Sequence, residues 1–96
     1  MTMRIEWDDD KDIANRAKHG VSFEVAKLVF DDPLHISVQD RFEGDEERWR
    51  TIGLVGGVVL LLVAHTYRGS DAGEVVRIIS ARKASKRERV GYEQGD

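Results

Sequence analysis

Between Arg48 and Tyr67 the chain reads Arg-Trp-Arg-Thr-Ile-Gly-Leu-Val-Gly-Gly-Val-Val-Leu-Leu-Leu-Val-Ala-His-Thr-Tyr. Two aliphatic, β-branched runs are hinged on Gly56-Gly57, and glycine adopts the positive φ of a tight hairpin without steric cost. Arg48 to Val55 and Val58 to Tyr67 are therefore predicted to pair antiparallel. The second run is apolar on both faces, with Leu60 and Leu62 alternating with Leu61 and Val63, which marks a central strand. If the two glycines alone make the turn, Val55 faces Val58 and His65 faces Arg48, with Cβ atoms roughly 4.5–5.5 Å apart. A neighbouring guanidinium disfavours imidazolium, so His65 is expected to be a neutral base near pH 7, with Arg48 holding a phosphate. The plainer alternative has both residues capping the sheet rim, with Arg48 paired to Glu46 or Glu47.

Upstream, Arg4 to Trp7 alternates as a first strand, and Asp8 or Asp9 begins a helix with acids in its first turn. Ile13, Ala14 and Ala17 give that helix a small apolar stripe, and Gly20 stops it in left-handed geometry. Ser22 opens a second helix with Phe23, Ala26 and Phe30 at core spacing, widened by Val25, Leu28 and Val29. Asp31-Asp32-Pro33 ends it, because the residue before proline avoids helical geometry. His35 to Gln39 is a predicted strand, Asp40 to Glu47 an acidic loop, and Arg68 to Gly73 a turn. Glu74 to Ser80 is the last long strand. Ser85 and Glu88 then form a capping box that opens a helix to about Gln94. The order β-α-α-β-β-β-β-α describes an α+β domain with a mainly antiparallel sheet, one domain over residues 1–96.

Charge is concentrated at the end of the last strand. Residues 1–76 hold nine cations against fifteen anions and residues 77–96 six against three, which is −6 and +3 within a net charge of −3. Such asymmetry suits a surface that meets a polyanion. There is no cysteine, hence no disulfide framework or thiolate metal site. The three histidines show no ligand spacing, so neither metal nor cofactor is expected. The N-terminus has no apolar signal core, and Val58 to Ala64, the longest apolar run, is far short of the ~20 residues that span a bilayer. The expectation is a soluble cytoplasmic domain.

Several further residues are candidates for chemistry. Arg77, between Val75 and Ile79, needs a groove or a carboxylate such as Glu6, since an unpaired guanidinium is costly to desolvate. Arg82, Lys83, Lys86 and Arg87 gather near the start of the last helix, where backbone donors also favour anions. Lys18 and His19 suit a helix C-terminus by charge alone. Tyr92, on the same helix as Glu88, either reaches a phosphate or packs. Trp7, Trp49 and His35 read as structural.

Lys18-His19-Gly20-Val21-Ser22-Phe23, Glu47-Arg48 before Thr51-Ile52-Gly53, and Arg77-Ile78-Ile79-Ser80-Ala81-Arg82-Lys83-Ala84 with Glu88-Arg89 and Tyr92-Glu93 together resemble the BrnT family, toxins of type II toxin–antitoxin systems. The resemblance runs from Ile5 to Glu93. It implies a fold similar to RelE-type ribonucleases and an RNA-cleaving toxin that inhibits translation. It also implies neutralisation in a heteromeric complex by a BrnA antitoxin, whose ribbon-helix-helix portion would supply any contact with DNA. Lys18, His19, Arg48, Arg77, Arg82, Lys83 and Tyr92 match the family pattern, while Val25 and the long Arg68 to Gly73 loop depart from it. The chemistry expected is metal-independent transesterification, with Arg48, Arg77 and Arg82 on the phosphate, His65 or His19 as base, and Lys18 or Tyr92 as acid. A competing expectation is a non-catalytic module whose basic 77–89 surface binds RNA or an acidic protein. A third is a toxin active only on the ribosome.

Overall fold

The computed structural model describes residues 3–70 and 73–95. Its elements are β1 (Met3–Trp7), α1 (Asp9–His19), α2 (Phe23–Ala26) running into a 3-10 turn (Lys27–Asp31), β2 (Ile36–Glu43), β3 (Glu46–Val55), β4 (Val59–Ser70), β5 (Gly73–Lys83) and α3 (Lys86–Gln94). One five-stranded sheet has the order β1-β5-β4-β3-β2, with β1 parallel to β5 and the remaining pairs antiparallel. This is an α+β arrangement of a mixed sheet and three α-helices. Phe23, Ala26, Val29 and Phe30 pack with Leu61, Val63, Val76, Ile78 and Ala81 to form the core. One sheet face is thus covered by the N-terminal helices, while the other is open except where α3 crosses one end. No helix among the described residues is long and apolar enough to cross a membrane.

The expected β3–β4 register is shifted by one. Val55 pairs with Val59 and Arg48 with Thr66, so the turn takes three residues: Gly56, Gly57 and the exposed Val58. Both glycines have positive φ, 62° and 69°, and the Val58 N–H donates to the Val55 carbonyl at 3.1 Å. A strand that is apolar on both faces fits either register, so its hydrophobic pattern could not choose between them. Slipping by one exchanges the faces of every side chain. His65 therefore faces Trp49 under the helices, and Arg48 stands on the opposite, open face.

Three boundaries also differ. Asp40 to Glu47 is a hairpin rather than a loop, with β2 running to Glu43 and β3 starting at Glu46 around Gly44-Asp45. Asp40, Glu43, Asp45 and Glu46 are exposed, so their charges stay solvated while the flanking backbones pair. β4 and β5 likewise extend into the predicted 68–73 turn, to Ser70 and from Gly73. Helix α2 is a single α-turn, and the 3-10 period of three that follows keeps Phe23, Ala26 and Val29 in line with the core. That rotation leaves Val25 and Leu28 exposed instead of widening the apolar face.

Helix α1 sits the other way round from expectation. Ile13, Ala14 and Ala17 are exposed, and Asn15 is its buried residue. The reason is a backbone requirement. β1 covers β5 only as far as Ile78. Just beyond, the Asn15 amide donates to the Ala81 carbonyl at 2.8 Å and accepts from the Ala81 N–H at 3.1 Å, standing in for a missing strand. Satisfying a buried edge outweighs burying two alanines and half an isoleucine. Gly20, at φ 71°, then ends the helix as expected.

Candidate active site

Register partners share a face of the sheet. Reading across all five strands, Glu6, Arg77, Thr66, Arg48 and Arg41 are successive partners and form one row on the open face. Strands stand about 4.8 Å apart, so Arg48 and Arg77 flank the buried Thr66 at about twice that spacing. The shifted register thus removes His65 from Arg48 and gives it Arg77 as a same-face neighbour.

Each predicted arginine carries a carboxylate. Arg48 Nε donates to Glu46 at 3.1 Å, and Arg77 Nη1 to Glu6 at 3.1 Å. Arg68 Nη2 also approaches Glu6, at 3.7 Å. Each pair has one exposed partner, Glu46 at 52% and Arg77 at 43%, and one half-buried partner, Arg48 at 24% and Glu6 at 32%. Exposed pairs of this kind are worth roughly 0–1 kcal/mol, so an arriving phosphate can displace them. Arg82 differs. Its Nη1 and Nη2 both donate to Glu88, each at 2.8 Å, while Glu88 also accepts from the Ser85 N–H. The Arg82 hydrogen bonds, opposed by burial and assisted by Ser85, hold Glu88 down at about 2. Arg82 is pushed up in turn, chiefly by the same bonds. The capping box and this bidentate pair fasten α3 to β5.

Tyr92 is used similarly. Its hydroxyl donates to Asp32 Oδ2, which also accepts from the Leu54 N–H at 2.8 Å. Burial acts to raise the Asp32 carboxyl, but hydrogen bonds from Leu54, Tyr92 and Leu34, with the charge of His35, hold it below its ordinary value. The bond to Asp32 raises Tyr92. The Tyr92 hydroxyl therefore ties α3 to the 31–35 turn rather than facing the arginine row.

His65 is fully buried, with Phe30 and Tyr67 ring centroids at 5.1 and 4.9 Å. Its Nε2 is 2.6 Å from Thr51 Oγ1, which is 2.6 Å from Ser37 Oγ. Burial pushes it down to about 4; the Thr66 backbone opposes this, although Nδ1 lacks a well-formed hydrogen bond. It is neutral, as expected, because of the core and not because of Arg48.

Lys18 and His19 lie at the sheet edge. They border an open hollow of about 210 Å3 with Asn15, Ile79 and Ser80. Ile79 is the extra residue of a β-bulge, since His65 pairs with Ile78 and Ala64 with Ser80. Bulges re-aim neighbouring side chains. Lys18 and His19 thus sit beside the bulge at Ile79 and Ser80, while the Arg77 and Arg82 side chains turn to Glu6 and Glu88. Lys83 and Arg87 are exposed, with no ion pair among the described residues. Thr66, Arg41 and Arg50 on the open face escape the sequence reading. A period of two from Arg48 is enough to find Arg50. Among the described residues, no three His, Cys, Asp or Glu side chains gather as metal ligands.

A family model described as the ribonuclease toxin BrnT of a type II toxin–antitoxin system matches residues 7–88. The 1.1 Å crystal structure of the Brucella abortus ribonuclease toxin BrnT superposes with a TM-score of 0.64 at 34% identity. It covers 88% of this chain and 100% of its own. A search of curated proteins finds no match. The chain belongs to the BrnT family of ribonuclease toxins of type II toxin–antitoxin systems.

Proposed function

We propose that this chain is a metal-independent endoribonuclease that cuts RNA by transesterification and so inhibits translation in the cytoplasm. The ribose 2′-oxygen attacks the adjacent phosphorus, the 5′-oxygen leaves, and the product ends in a cyclic phosphate. The observation that carries this reading is the Arg77–Thr66–Arg48 row on the open face. Two arginines whose strand positions flank one point of the sheet, once released from Glu46 and Glu6, match the need to neutralise a phosphorane from both sides. The burial of His65 and the Asp32 bond of Tyr92 favour the edge pair for proton transfer. His19 takes the proton from the 2′-hydroxyl and Lys18 returns one to the 5′-oxygen. Arg82 acts through α3 rather than on the phosphate.

Membership of a type II family brings an antitoxin partner. We assign it as a BrnA-like protein with a ribbon-helix-helix portion, and the fold as a RelE-like variant. Co-expression with the adjoining reading frame is expected to restore growth.

The decisive assay mixes purified protein with RNA in chelator, with and without ribosomes. Fragments ending in cyclic phosphate are expected. Arg48→Ala and Arg77→Ala should each lower the rate on the order of 10²–10³. Undiminished cleavage by both folded variants overturns the assignment, and retarded but intact RNA in both conditions supports a binding module instead.

A further inference from the structure

Arg50 lies two residues beyond Arg48 on β3, hence on the same open face, about 7 Å farther along the strand. Its side chain is 42% exposed, but its Nε is shielded and has no hydrogen-bond partner among the described residues. The oxygen of its ion-pair partner, Asp40, stands 3.8 Å away, beyond hydrogen-bonding reach. A buried guanidinium N–H without an acceptor is costly unless something else supplies one.

Arg50 borders a hollow of about 160 Å3 between the sheet and α3, floored by Ile36, Ile52 and Leu62 and walled by Gly91 and Tyr92. This is below the roughly 300–1,000 Å3 of sites for drug-sized ligands, and suits a flat fragment. Gly91 is the second observation. A glycine inside a helix costs roughly 0.5–1 kcal/mol relative to alanine. Its φ is ordinary, and a Cβ built there meets nothing within 4 Å. Neither backbone geometry nor packing requires it, and the missing side chain leaves that wall of the hollow open.

On the ribonuclease reading, we infer that this hollow receives the nucleobase beside the scissile phosphate and that Arg50 selects guanine. Unpaired bases are held on apolar or aromatic surfaces and read along their edges. An arginine offers only donors, and guanine presents O6 and N7 as adjacent acceptors. The step from Arg48 to Arg50 sets a phosphate contact and a base contact side by side on one strand.

Two measurements test this on the intact protein. First, fragment ends from a random-sequence RNA pool should show guanosine favoured over pyrimidines beside the cut by roughly ten- to hundred-fold. Arg50→Gln should erase that ratio, as should Gly91→Leu, which fills the hollow while improving helix propensity and so keeps the fold. Second, GMP but not CMP should shift the Arg50 Nε–Hε resonance, and Gly91→Leu should abolish the shift. A GMP shift without any RNA cleavage leaves the base site standing and removes the nuclease reading. Base preference absent from the parent protein, or unchanged in both variants, overturns the inference. So does an Arg50 resonance that GMP and CMP move equally or not at all.

Discussion

His65 is a titratable group that the core keeps neutral, and this links its protonation to stability. An unfolded histidine titrates near 6.5, while burial holds His65 at about 4. Between those values the unfolded chain takes up a proton that the native chain refuses. Stability is complete above about pH 7 and is lost as pH falls from 6.5 towards 4, by about 3 kcal/mol in total. Urea midpoints for the parent protein should fall over that window, while His65→Gln, which can still meet Thr51, should be flat by comparison. Parallel pH profiles would show that other groups cause the loss. The sequence does not reveal His65's surroundings because they rest on one residue of turn length. By contrast, the partner of Arg77 is legible: a cation between apolar neighbours on a strand demands a carboxylate, and Glu6 on the adjoining strand supplies it.

At the scale of elements, α3 is held by two ties, Arg82 to Glu88 and Tyr92 to Asp32, and only the first touches the predicted cation cluster. Hydrogen bonds between charged groups contribute about 1.5–3 kcal/mol, whereas exposed pairs contribute under about 1 kcal/mol. Arg82 is as exposed as Arg77, but its bond is bidentate. Arg82→Ala should therefore lower unfolding stability by about 1–2 kcal/mol, with Arg48→Ala and Arg77→Ala within about 1 kcal/mol of the parent. Urea denaturation gives the ordering, and a reversed order would return Arg82 to the substrate-binding set. Gly53 sets a second constraint. A Cβ there would lie 2.7 Å from the Val29 carbonyl oxygen and 2.9 Å from the Val29 Cβ, where β3 passes beneath the 3-10 turn. Gly53→Ala should cost about 1–3 kcal/mol by overpacking, read as a lower midpoint in the same titration. The elements most legible in sequence are those with local chemistry: the Gly20 stop, the Ser85–Glu88 capping box and the glycine hairpin. The α1 face is not, because what turns the helix is the unpaired edge of β5 at Ala81, 66 residues from Asn15 in sequence.

For the whole molecule, the sheet separates two kinds of surface. One side is a packed core with two helices; the other presents Arg41, Arg48, Arg50 and Arg77 in two adjacent rows, on a chain whose net charge is −3. An acidic body repels RNA at long range, so productive contact depends on the open face and on the cations at the start of α3. Salt dependence distinguishes their shares. Each phosphate neutralised on single-stranded nucleic acid contributes a slope of about −0.7 in log affinity against log salt. Contact through Arg48, Arg77 and one further cation gives a slope near −2. Fluorescence anisotropy on a 2′-deoxy oligonucleotide, which cannot be cut by this chemistry, should return that value, and Arg77→Ala should make it shallower by about 0.7. A slope beyond about −4 that drops instead when Lys83, Lys86 and Arg87 are replaced would move the principal RNA contact from the sheet face to the start of α3.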